Sequence, residues 1–98
     1  MVEQINNEVL LIGKMISGLH RTQVNNHKAC RVLMKVKEND NNYNVPVVFI
    51  NPNEESLRQC KNKELSIIGH IETKWGIKIV VDAYKTEDEE DIKLIINQ

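Results

Sequence analysis

The segment Lys28-Ala29-Cys30-Arg31-Val32-Leu33-Met34-Lys35-Val36-Lys37 constrains this chain more than any other. Side chains alternate across an extended strand with a period of two. Cys30, Val32, Met34 and Val36 then share one face, and Arg31, Leu33, Lys35 and Lys37 share the other. A buried, unpaired cation is expensive, so the basic row must face water or an anion. The segment predicts a strand that packs on a core by one face and carries cations on the other.

The rest of the chain supplies four more strands. Glu8 to Lys14 is an apolar run that ends in Gly13-Lys14 and suits a mostly buried strand. His20 to His27 is polar, with Asn25-Asn26 as a turn signal. Glu38-Asn39-Asp40-Asn41-Asn42 is a hydrophilic turn cluster. Tyr43 to Ile50 is β-branched and aromatic, and Pro46 inside it favours an edge or a bulge because it cannot donate to a ladder. Asn51 or Asn53 can then cap a short helix over Glu54 to Cys60, with Pro52 suited to its first turn, acids at its start and Leu57 and Cys60 facing inward. Glu64 to Lys74 and Ile77 to Tyr84 are the last two strands, joined tightly through Trp75-Gly76. The order is that of an all-β protein: a five-stranded OB-fold barrel with one short helix between strands 3 and 4.

Ninety-eight residues make one domain with a modest core. No apolar run reaches the length of a membrane span, and the N-terminus has neither the basic start nor the apolar stretch of a signal peptide. A cytoplasmic protein with no membrane partner is expected. Two cysteines are too few for a disulfide framework, so Cys30 and Cys60 read as reduced and structural. The net charge of −1 conceals an asymmetry. Before Glu87 the chain carries twelve Lys and Arg against nine Asp and Glu; from Glu87 onward it carries five acids against Lys93 alone. The expected organisation is a mildly basic domain over residues 1–86 and an acidic, then apolar, tail over 87–98.

Several of these stretches, taken in order, resemble the bacterial single-stranded DNA-binding proteins. Asn7-Glu8-Val9-Leu10-Leu11-Ile12-Gly13 fits that family's opening Asn-x-Val-x-Leu-x-Gly strand. Val47-Val48-Phe49 ahead of the helix resembles its third strand, and Lys63 to Trp75 resembles its fourth, which leads through Gly-x-Ile-x-Thr into a Trp. Ile79-Val80-Val81-Asp82 is similar to its last strand. The likeness runs over roughly residues 6 to 86. The departures are specific. The chain has four aromatics, Tyr43, Phe49, Trp75 and Tyr84, where the family offers several stacking platforms. Asn44 stands where the family has a tryptophan, and the hairpin after Trp75 is short. The tail lacks the Pro-Phe ending through which the family recruits partners.

Single strands are held by a cationic groove for phosphates and flat side chains for bases. The resemblance implies that Arg31, Lys35 and Lys37 contact DNA, with Lys14, Lys28, Lys74 and Lys78 extending the row. Lysines on an exposed strand also serve simply to discourage edge pairing. Trp75, between Lys74 and Lys78, is the leading stacking residue; its alternative is packing over the barrel end. Tyr43 is a second candidate, although it alternates in phase with Val45, Val47 and Phe49. Phe49 reads as core.

Chemistry beyond binding has little support. His20, His27 and His70 are scattered, no Cys or His pair has zinc-finger spacing, and there is no phosphate-cradling glycine loop. The expectation is a protein that is not an enzyme and has no metal or cofactor. It would bind single-stranded DNA in replication, recombination or repair. The alternative is an OB-fold protein–protein adaptor of replication restart with little DNA affinity. The unbroken apolar run Val9-Leu10-Leu11-Ile12 leaves either Leu10 and Ile12 or Val9 and Leu11 outside a barrel. Such a strand invites pairing with a copy of itself, so a dimer is expected, with a tetramer as the larger alternative. Three roles stay open for the tail: packing Ile92, Leu94, Ile95 and Ile96 back on the barrel or a partner subunit, recruiting replication or repair proteins, or occupying the basic groove when DNA is absent.

Overall fold

The computed structural model describes residues 2–5, 7–74, 76–87 and 93–94, with the side chains of 2–5 and 93–94 left aside. Eight strands and one helix follow in chain order: β1 (Val2–Ile5), β2 (Glu8–Met15), β3 (His20–Val24), β4 (His27–Glu38), β5 (Asn41–Ile50), α1 (Glu54–Arg58), β6 (Glu64–Glu72), β7 (Lys78–Thr86) and β8 (Lys93–Leu94). Five of them close into a ring. β2 pairs with β4 and β6, β4 with β5, β5 with β7 in parallel, and β7 with β6. This is the all-β OB barrel. α1 follows the fifth strand of the chain and, among the barrel strands, stands between the third and the fourth.

The alternation in β4 holds residue by residue. Cys30, Val32, Met34 and Val36 are buried, and Arg31, Leu33, Lys35 and Lys37 are exposed. The core gathers Leu11, Met15, Phe49, Leu65, Ile67 and Val81, among others, with Leu57 and Cys60 closing it from the helix segment. Phe49 meets Tyr84 edge-on at 5.3 Å between ring centroids. Cys30 and Cys60 are buried and neither is in a disulfide. Burial, then the nearby Glu54 carboxylate, pushes the Cys30 thiol up, so it stays protonated at neutral pH. Asn53, rather than Asn51, caps α1: its side chain accepts from the Ser56 N–H at 3.2 Å.

Barrel closure depends on Gly13. A β-carbon there would sit 2.6 Å from the Lys35 carbonyl oxygen, so only glycine lets β2 cross β4 this closely. The tight turns belong mostly to asparagine. Asn25, Asn26, Asn39, Asp40, Asn51 and Asn62 are the non-glycine residues with positive φ among the described residues. Asn and Asp tolerate that region best. Paired positive φ at Asn25-Asn26 and at Asn39-Asp40 suits two-residue hairpin turns. Pro46 sits just outside the stretch where β5 meets β7, which begins at Val47, so its missing N–H leaves no second strand unserved.

Three strands depart from the sequence expectation. The polar segment after Leu19 is β3, and it makes a long hairpin with β4. Its residues are exposed on both faces except Val24, so no hydrophobic alternation marked it. Residues Val2–Ile5 form β1, which pairs with β2 from Glu8 to Leu11. The edge of β2 expected to meet a second copy is thereby occupied within the chain, because β6 already holds its other side. Val9 and Leu11 face the core, while Leu10 and Ile12 are half-buried on the outer face. Finally, Lys93–Leu94 return as β8 against Ala83 and Tyr84 of β7. Ile92, Ile95 and Ile96 lie outside the described residues.

Candidate nucleic-acid interface

Two hairpins flank the outer face of the barrel. The β3–β4 hairpin turns at Asn25-Asn26, and the β6–β7 hairpin turns around Gly76, whose φ of 104° only glycine adopts readily. Between them lies an open groove of about 730 Å³. One wall carries Thr22, Gln23, Asn25 and Asn26; the other carries Lys74, Gly76, Ile77 and Lys78. Val24, Pro46 and Val48 make an apolar floor. That floor rests on a second, smaller core: Ala29, Val48, Ile50 and Val80 are buried together on the outer face, with Val24 packed against them.

The charges follow from the register. Arg31 faces Val48 across the β4–β5 ladder, which places its guanidinium at the groove. Lys74 and Lys78 flank the opposite turn, and the Lys78 ammonium donates to the Lys74 carbonyl at 2.6 Å, bracing the loop. Glu72 is the single acid lining the groove among the described residues. It is not a bare charge. His70 places Nε2 2.7 Å from Glu72 and Nδ1 2.9 Å from Asp82. An imidazolium donates to both carboxylates at once. Burial alone pushes His70 down, but the hydrogen bonds to Asp82 and Glu72 outweigh it and the net shift is upward. Sequence reasoning missed this cluster. His70 and Glu72 share a strand face at i and i+2, but Asp82 reaches them only because β7 runs beside β6.

The other expected site residues distribute unevenly. Lys35 and Lys37 are exposed on the same face of β4 as Arg31, but Lys35 lies about 13 Å further along the strand, at 3.3 Å per residue. Lys14 faces Lys35 directly across the β2–β4 ladder, so these two cations stand side by side. They lie outside the groove. Lys28 alternates out of phase with Arg31 and faces the other side of the hairpin, where it lines a second cavity. Tyr43 is 52% exposed and lines neither cavity; its partner across the ladder is the buried Val36. Trp75 lies outside the described residues. Ile77, which the sequence did not single out, is 82% exposed on the groove wall. No group of three or more His, Cys, Asp or Glu among the described residues is arranged to hold a metal ion. Among them, too, no helix is long and apolar enough to cross a membrane.

No family model and no curated relative matches the sequence. Solved structures do match. The N-terminal domain of PriB protein from Thermoanaerobacter tencongensis superposes with a TM-score of 0.70 at 17% identity, covering 87% of this chain and 100% of that one. The second single-stranded DNA-binding protein of Mycobacterium smegmatis gives 0.63 at 14% identity, covering 95% and 100%. The SSB domain of a Synechococcus protein gives 0.63 at 14% identity, covering 84% and 97%. The chain therefore resembles the bacterial single-stranded DNA-binding and PriB OB-fold proteins; at these identities the likeness establishes the fold.

Proposed function

We propose that this protein binds single-stranded DNA without catalysis, in the groove between the β3–β4 and β6–β7 hairpins. One observation carries the reading: an apolar floor of Val24, Pro46 and Val48 lies beneath a rim of Arg31, Lys74 and Lys78. Single-strand binding needs that pairing, with bases against apolar or flat surfaces and phosphates against cations. Lys35 and Lys14 continue the cationic path along the outer face of the barrel. Solved proteins of the same fold are named for single-stranded DNA binding, which supports the same ligand here. The roles in replication, recombination or repair, the cytoplasmic location and self-association as a dimer belong to this proposal. One neighbour of the fold was solved as a dimer.

The test is a salt titration with an oligo-thymidine. Each phosphate contact on a single strand contributes about 0.7 to the slope of log K against log salt. Replacing Arg31, Lys74 and Lys78 with Gln lowers that slope by about 2. A triple variant that keeps the wild-type slope removes the groove from the site. The protein-adaptor reading has one observation in its favour: no described aromatic lines the groove, while the apolar Ile77 stands on its wall. Absence of oligonucleotide binding at low salt by the folded protein would select that reading.

A further inference from the structure

The β3–β4 hairpin has two wetted faces, and only one belongs to the groove described above. On the other face Arg21 and Lys28 alternate in phase with Cys30 and open on a second cavity of about 570 Å³. Its far side is the chain entering α1, with Asn51, Pro52 and Glu54. The Asn51 N–H donates to the Lys28 carbonyl at 2.7 Å, which ties that segment to the hairpin. Glu54 is the one acid lining the cavity among the described residues. It is shared: Arg21 Nε donates to its Oε1 at 3.0 Å and Arg58 Nη2 donates to the same oxygen at 3.2 Å. Arg21 and Lys28 against Glu54 leave the cavity lining one positive charge in surplus, and Arg58, outside the lining, shares in neutralising that carboxylate. Arg21 is held in place by the pair yet its side chain is 73% exposed, so its remaining donors face solvent.

Thr22 and Gln23 line both cavities. The hairpin is therefore a narrow ridge between two cationic grooves. We infer that the second groove is a phosphate-binding extension of the first, through which a single-stranded nucleic acid continues after crossing the β3–β4 hairpin. The occupant is the sugar–phosphate backbone, since the exposed cations recognise phosphates and the apolar part of the lining, Ala29, Cys30 and Pro52, offers no aromatic ring on which a base could stack. This inference rests on the nucleic-acid reading of the first groove, and it accounts for Lys28, which stands apart from Arg31.

Strand length tests it. Oligo-thymidines of about 5 and about 16 nucleotides mark the two ends of the usual range for one OB-fold. They are titrated by fluorescence anisotropy against the full chain, against a variant with R21Q and K28Q, and against E54Q. The double variant is expected to bind the short strand like the wild type. It binds the long strand about 25-fold more weakly at 0.1 M salt, with a slope lower by about 1.4, as two contacts at about 0.7 each require. E54Q, which removes the carboxylate, binds the long strand more tightly than the wild type. Two results overturn the inference alone: wild-type affinity of the double variant for the long strand, or an equal loss on both lengths in a variant that melts like the wild type. Failure of the wild type to bind either strand overturns the nucleic-acid reading of both grooves.

Discussion

Gly13→Ala tests the closure of the barrel. The added β-carbon would lie 2.6 Å from the Lys35 carbonyl oxygen, about 0.4 Å inside the 3.0 Å below which such contacts do not occur. A tight contact of 3.0 Å to a Val36 methyl carbon comes from the same strand, so the strain falls on β4. The β2–β4 ladder has only two register pairs, Lys14 with Lys35 and Met15 with Met34, and both lie next to the clash. Overpacking of this kind costs about 1–3 kcal/mol. Losing a glycine from the unfolded chain returns about 0.4–1 kcal/mol. The net is a loss of about 1–2 kcal/mol, and a domain of this size shifts about 4–8 °C per kcal/mol. Thermal unfolding by circular dichroism should therefore show a Tm lower by about 5–15 °C. Gly18→Ala is the internal control, because its β-carbon would meet nothing within 4 Å. It should leave Tm unchanged or raise it slightly. An unchanged or higher Tm in Gly13→Ala would refute the closure argument.

Other outcomes follow from the same structure. His70 has a folded pKa raised above its ordinary value of about 6.5, so its contribution is complete below that pH and fades as pH rises through the raised value. Wild type should exceed His70→Gln in stability at pH 5.5 by about 1 kcal/mol or less, since the cluster is partly solvated, and by less at pH 8.5; equal gaps at both would contradict the assignment. Asn53→Ala removes the cap of α1 and should cost about 1 kcal/mol, read as a lower urea midpoint. The chain has a single Trp, so its emission should fall on adding oligo-thymidine. Trp75→Ala should bind about ten- to a hundredfold more weakly, and unchanged affinity would exclude a stacking role.

The sequence by itself determined the barrel strands and the two faces of β4, but for β2 it left open whether Val9 and Leu11 or Leu10 and Ile12 face the core. β4 is legible because one face is core and the other water, and burial enforces alternation wherever those two differ. The turns are legible because Asn-Asn and Asn-Asp occupy backbone conformations that most residues avoid. β3 and β1 were not legible for the opposite reason. A hairpin wetted on both faces has no pattern to show, and β1 has no partner until β2 is folded beside it. The same limit applied to the site. Arg31, Lys74 and Lys78 were named as cations along the chain, but only the closed barrel decides that these three share a groove. Lys35 and Lys14 remain on the outer face beyond it, and Lys28 turns to the far side of the hairpin. The His70, Glu72 and Asp82 cluster is likewise tertiary, since Asp82 lies ten positions beyond Glu72 on the neighbouring strand, at the register shift where Val81 and Ala83 pair with Gly69 and Ile68. Periodicity reports which side of its own strand a residue occupies. Which strands lie side by side is decided by closure, and closure here depends on a few contacts such as Gly13 against Lys35.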